Sequence, residues 1–167
     1  RYGNVIGSRG SVVEVFNKIL ATNKPFPITD KNMTRFNISL IDGVKMVMHA
    51  LFNAWGGEIF VPKIPSYKIL DVADAVCNKC EKKIVGIRPG EKIHEEMITA
   101  SDSFNTYDIN KYYVILPVVT KWNIDEFINE FSAKKVKPGF SYNSGTNDNW
   151  ESVSSLKRLI KEHVQSN

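Results

Sequence analysis

A chain of 167 residues, 43% hydrophobic and 24% charged with no low-complexity block, is long enough for one domain with a real core. Its net charge of +4 is spread over scattered lysines and arginines, with Lys82-Lys83, Lys134-Lys135 and Lys157-Arg158 the only basic doublets; a nucleic-acid face concentrates charge between aromatics and is not expected here. No apolar run approaches the roughly 20 residues of a membrane span and no basic-then-apolar signal opens the chain, so the expectation is a cytoplasmic protein with no membrane partner.

The chain starts Arg1-Tyr2-Gly3-Asn4-Val5-Ile6, without a methionine and at the edge of a strand, and is expected to be the back end of something longer. Gly7 to Gly10 make a turn, Ser11-x-x-Glu14 reads as a capping box, and Val12, Val13, Phe16, Ile19 and Leu20 follow at helical spacing until Asn23-Lys24-Pro25. Residues 25–32 read as a turn-rich connector. A second helix is predicted from about Ser39 to Ala54, ended by Gly56-Gly57, and a short strand at Glu58-Ile59-Phe60-Val61 is closed by Pro62. Ile69, Val72, Ala73 and Val76 mark a third helix through about Asn78, and Lys83 to Ile87 is a strand leading into Arg88-Pro89-Gly90-Glu91-Lys92. Residues 105–116 read as a strand pair and Ile124 to Ala133 as an amphipathic helix. A polar connector, 137–150, precedes a last helix from near Glu151 carrying Val153, Leu156, Leu159, Ile160 and Val164. Strands alternating with helices predict an α/β architecture with the tail as an appended piece.

Three arginines sit in short loops beside apolar stretches: Arg9 in Gly7-Ser8-Arg9-Gly10-Ser11, Arg35 in Met33-Thr34-Arg35-Phe36, and Arg88 in the Pro-Gly turn. A guanidinium forks onto phosphate oxygens, so several converging on one pocket point to a phosphorylated small molecule. Gly10-Ser11 is a helix start able to hold an anion, and Glu91 could accept from ribose hydroxyls. Gly3-x-x-x-Gly7-x-x-Gly10 is not the cofactor fingerprint, because no full strand precedes it and Asp30 falls in a Pro-rich turn. Tyr107-x-x-x-Lys111 matches a dehydrogenase spacing but does not read as helix. Cys77 and Cys80 form a lone C-x-x-C, with His94 and Glu95 metal candidates on paper only; no metal is expected and the pair reads as two reduced cysteines.

In chain order, Arg1-Tyr2-Gly3-Asn4-Val5, Gly7-Ser8-Arg9-Gly10-Ser11-Val12, Met33-Thr34-Arg35-Phe36, Glu58-Ile59-Phe60-Val61-Pro62-Lys63 and Arg88-Pro89-Gly90-Glu91-Lys92 resemble the C-terminal half of the UDP-N-acetylglucosamine 4,6-dehydratases, members of the extended short-chain dehydrogenase/reductase superfamily. The tail Phe140-Ser141-Tyr142-Asn143-Ser144-Gly145-Thr146-Asn147 resembles the configuration-inverting branch, which opens the route to pseudaminic acid.

The resemblance implies a fold and a division of labour. The fold would be the C-terminal part of an NAD(P)-binding Rossmann-like domain plus a small substrate-binding lobe. Residues 1–62 would end the Rossmann domain with an interleaved substrate segment, 63–120 form the lobe, and 121–167 a helical extension. Asn4 would contact the nucleotide sugar, with Val5 beside the nicotinamide of NADP. Arg9, Gly10, Ser11, Val12 and Val13 would line the pocket, with Phe26 and Ile28 near the uracil. Arg35 and Arg88 would bind the diphosphate and Glu91 the ribose. In the complete lyase, hydride leaves sugar C4, water is lost across C5 and C6, and hydride returns to C6, with reprotonation of C5 from the opposite face giving inversion. The Tyr/Lys pair, the acid/base groups and the glycine loop belong to an N-terminal half, so no catalytic residue is expected here and this piece alone would be inactive. The expected partners are a UDP-sugar, that N-terminal half and, when complete, further copies in a homo-oligomer. A retaining dehydratase, a UDP-sugar 4-epimerase and a stand-alone nucleotide-binding module stay open.

Overall fold

The computed structural model describes residues 1–163 and shows a mixed α/β protein, as expected. Its residues group into two compact units that interleave along the chain and do not coincide with the stretches 1–62, 63–120 and 121–167. One unit takes Arg1–Tyr2, Leu40–Lys63 and Glu96–Asn143; the other takes Gly3–Ser39, Ile64–Glu95 and the chain from Ser144 onward.

The second of these units carries every predicted site residue. Its strands β1 (Asn4–Val5), β3 (Thr34–Ile38) and β5 (Ser66–Lys68) form one sheet, with β1 parallel to β3 and β3 antiparallel to β5. A parallel pair joins β2 (Phe26–Ile28) to β6 (Lys82–Ile84). The connector expected at 25–32 therefore contains a strand. Proline denies Pro27 a ladder donor, yet β2 pairs on one side only, where that loss is tolerated. The strand expected at Lys83 to Ile87 is shorter and starts one residue earlier.

Helices α1 (Val12–Leu20), α3 (Ile69–Cys77) and α5 (Val153–His163) complete this unit. Ser11 caps α1 by accepting from the Glu14 amide, as the capping pattern predicts. Phe16 stacks on Phe26 with centroids 4.7 Å apart, inside a core that includes Met33, Val72, Leu156 and Ile160. The tail is thus not appended: α5 packs on α3 and its Leu156 is buried in this core. Val164, assigned to the last helix, lies outside the described residues. Cys77 and Cys80 are joined in a disulfide, Cα atoms 5.4 Å apart, which corrects the expectation of two reduced thiols. The pair consequently carries no argument for a reducing compartment.

The other unit is built on the antiparallel order β10-β8-β9-β4, from β4 (Ile59–Pro62), β8 (Thr106–Ile109), β9 (Tyr112–Ile115) and β10 (Lys134–Lys135). A separate pair joins β7 (Glu96–Ile98) to β11 (Tyr142–Asn143). Tyr107 lies in β8 and Lys111 in the turn after it, so that pair is not on a helix. Helices α2 (Leu40–Asn53) and α4 (Ile124–Glu130) flank an aromatic core of Phe60, Trp55, Trp122 and Phe127. The α2 helix buries Met46 and leaves Leu40, Val44, Val47, Met48, Leu51 and Phe52 exposed.

On α2, His49 stacks on Tyr112 at 4.5 Å and meets Phe60 edge-on at 5.3 Å, and its Nε2 is buried without a hydrogen-bond partner among the described residues. Burial holds its pKa below the ordinary value. An unfolded histidine takes up its proton near ~6.5, and the folded one resists it, so protonation favours the unfolded chain. This contribution to stability is present above that pH and is lost as pH falls below it. Urea midpoints measured on either side should drop on acidification, and His49→Phe should reduce the drop; an equal drop in the variant would remove His49 as its source.

Candidate nucleotide-sugar site

The unit containing α1, α3 and α5 encloses a cavity of about 280 Å³. It is bounded by the β1-to-α1 turn, the inner faces of β3 and β5, and Leu156 and Ile160 of α5. Of the predicted site residues, Asn4, Val5, Arg9, Gly10, Ser11, Val12, Val13, Arg35 and Glu91 line it. The turn from residue 7 to 10 needs left-handed backbone at Gly7 and Gly10, with φ of 76° and 74°, and it sets Arg9 on the cavity wall. At Gly3 a Cβ would fall 2.5 Å from the Phe36 Cβ, so only glycine allows β1 to approach β3 this closely.

Three predicted residues do not line it. Phe26 and Ile28 are fully buried in the core, and between them Pro27 lines the cavity. Alternation along β2 dictates this. A ligand could meet positions 26 and 28 only through their backbone. Arg88 is exposed on its turn, where Gly90 has φ 80°, the Glu91 amide donates to the Arg88 carbonyl, and the Arg88 amide donates to the Glu91 carboxylate.

The α1 N-terminus is already engaged. The Gly10 amide donates to Glu14, whose carboxylate also pairs with Lys18 at 2.9 Å, and these two contacts hold its pKa below the usual carboxylate range, the lysine first. Arg35 is mostly buried, its Nη1 donating to the carbonyls of Thr34 at 2.7 Å and Ile93 at 3.0 Å. Its Nε lies 3.6 Å from Glu95, which leaves Nη2 as the nitrogen without a partner among the described residues.

Sequence reasoning missed the polar cluster behind these groups. Thr34 Oγ1 lies 2.8 Å from His94 Nδ1 and 2.7 Å from Ser144 Oγ, and the Glu95 amide donates to Ser144 Oγ at 2.9 Å. Asn37, Tyr67 and the α5 residues also line the cavity unforeseen; the apolar spacing of Leu156 and Ile160 was the available signal. Among the described residues no group of three His, Cys, Asp or Glu could hold a metal, and no helix is long and apolar enough to cross a membrane.

A family model described as polysaccharide biosynthesis protein matches residues 1–117. The chain belongs to this polysaccharide biosynthesis family. Within it, the resemblance to the UDP-N-acetylglucosamine 4,6-dehydratases holds. The chain is 49% identical over 168 residues to UDP-N-acetylglucosamine 4,6-dehydratase (inverting) of Campylobacter jejuni, covering 96% of this chain and 49% of that protein. It is 38% identical over 119 residues to UDP-glucose 4-epimerase of Rickettsia canadensis, covering 69% of this chain and 35% of that one. The fold matches the X-ray structure of Pen from Bacillus thuringiensis with a TM-score of 0.78 at 29% identity, over 97% of this chain and 48% of that one. This family member thus spans about half the length of the inverting dehydratases it matches.

Proposed function

We propose that this chain is the nucleotide-sugar-binding, C-terminal portion of a UDP-N-acetylglucosamine 4,6-dehydratase that inverts C5. The observation that carries the reading is the convergence of nine predicted site residues, from Asn4 to Glu91, on one cavity. The extent of similarity favours the inverting branch over the epimerases: the dehydratase match runs over 96% of the chain and the epimerase match over 69%. The product would be a UDP-4-keto-6-deoxy-hexosamine for pseudaminic acid or other surface glycans.

At about 280 Å³ the cavity is at the low edge of ligand pockets and takes part of a nucleotide sugar. Arg9, Nη2 of Arg35 and, from its Pro-Gly turn, Arg88 are the proposed diphosphate contacts, and Glu91 accepts from the ribose. Val5 and Ile6 offer a partly buried apolar edge in the cavity, which fits the flat face of a nicotinamide. When bound, NADP would accept and return the hydride. The residues here hold and orient the sugar; proton transfer and the rest of the cofactor site belong to an N-terminal half, which also docks here, and this portion alone is inactive. The complete enzyme is proposed as a cytoplasmic homo-oligomer.

The test is to incubate the full-length protein with UDP-GlcNAc and NADP and assign the product by NMR. A 4-keto-6-deoxy sugar inverted at C5 is expected. Retention at C5, a C4 epimer, or UDP binding without turnover would each replace this reading by the corresponding alternative. Arg9→Ala, on an exposed turn, should weaken UDP-GlcNAc binding about tenfold, the loss expected of one charge-assisted hydrogen bond; calorimetry reads it directly.

A further inference from the structure

Glu95 touches more of the cavity wall than any role so far assigned to it explains. Its carboxylate accepts from the Phe36 amide at 3.3 Å and faces Arg35 Nε at 3.6 Å. With the Asn4 amide nitrogen turned toward it, Asn4 donates to both carboxylate oxygens, at 2.7 and 2.9 Å. One side chain therefore bridges β1, β3 and the segment that follows the Arg88 turn.

That segment is itself clamped. The Ser144 amide donates to the Glu95 carbonyl at 2.8 Å while the Glu95 amide donates to Ser144 Oγ, and the Thr34 amide donates to the Ile93 carbonyl at 3.0 Å. Ser144 is fully buried, and a Cβ on Gly145 would fall 2.6 Å from the His94 ring. Glu95 cannot drift from its partners without breaking this clamp.

We propose that Glu95 is the positioning residue of the cavity, fixing the Asn4 amide in one orientation and Arg35 in one direction toward the ligand. An ionised carboxylate only accepts, so it captures the Asn4 nitrogen and leaves the Asn4 carbonyl oxygen as the group offered to a sugar hydroxyl. The same charge holds Nε of Arg35 at 3.6 Å and leaves Nη2 for phosphate. A glutamine has the same shape but can donate or accept, so it holds neither partner in a single state.

The charged and titratable groups facing Glu95 are Arg35 from β3, Tyr67 from β5 and His94 beside it in the chain. Burial raises the Glu95 pKa, opposed by the Phe36 amide and Arg35, and the two bonds from the turned Asn4 amide also favour the ionised form. Positioning is therefore present when Glu95 is ionised and is lost as pH falls.

The inference rests on the cavity being the nucleotide-sugar site, and the experiment separates the two. UDP-GlcNAc is titrated into the full-length protein, wild type and Glu95→Gln, from pH ~7.5 to ~5; the diphosphate diester stays ionised throughout. At the upper pH Glu95→Gln should bind about tenfold more weakly, with KM raised to match and kcat within about twofold. Wild-type affinity should fall on acidification toward that of the variant, whose own profile is flatter; His94 is present in both and cancels from the comparison. Were Glu95 only a counter-charge, its removal would free Arg35 and tighten binding; tighter or unchanged binding in Glu95→Gln overturns the proposal. If Glu95→Gln does not fold, the wild-type profile decides, and an affinity that does not fall with pH overturns it. If Arg9→Ala binds like wild type, the site reading fails instead.

Discussion

Val47→Asp combined with Leu51→Asp should prevent the full-length protein from folding to a stable product, with loss of the cooperative transition in a thermal or urea melt. Both side chains lie on the exposed stripe of α2, 57% and 70% accessible. Leu40, Val44, Val47, Met48 and Leu51 recur three and four residues apart, on the side of the helix opposite Met46. A helix apolar on both sides is a buried helix, and a contiguous patch of this kind marks a surface made to be covered. The proposed occupant is the N-terminal half, since the dehydratase relatives are about twice as long as this chain. An unpaired charge placed in such an interface costs several kcal/mol, so two should exceed the ~5–15 kcal/mol margin of a typical domain or consume much of it. A melt within about a degree of wild type would show that the stripe faces water in the complete protein.

Phe16→Ala should cost about 3–5 kcal/mol in a urea titration, the range for deleting a fully buried aromatic side chain. Phe16 has no accessible surface and stacks on Phe26 with a 15° angle between the rings. It is also the anchor of α1, whose first turn supplies Val12 and Val13 to the cavity, so UDP-GlcNAc affinity should fall with it. A loss below about 1 kcal/mol would mean that the surrounding side chains collapse into the space.

The legible parts of this molecule are those whose signal is local. Ser11 and Glu14 announced α1, and Ile69, Val72 and Ala73 announced α3, because cap and stripe lie within one helix. The β2 strand was hidden because Pro25 and Pro27 carry the punctuation of a loop; only its distant partner Lys82–Ile84 makes it a strand. The site divides the same way. Residues of the Gly7–Gly10 turn and Arg35 could be read as phosphate binders from type and spacing. Phe26 and Ile28 could not be oriented without knowing that their strand existed. Glu95 was legible only as a metal candidate on paper, since its partners Asn4, Phe36 and Ser144 lie far from it in the chain. A residue that acts through others leaves no motif of its own.

The Glu14 carboxylate on the Gly10 amide gives the β1-to-α1 turn a built-in placeholder. A phosphate reaching this turn does not fill an empty cradle; it exchanges with an anion the chain already supplies, which can retire onto Lys18. The gain is then only the difference between two anions' hydrogen bonds. On the proposed reading, a ligand's phosphate engages this turn by displacing Glu14 from the Gly10 amide.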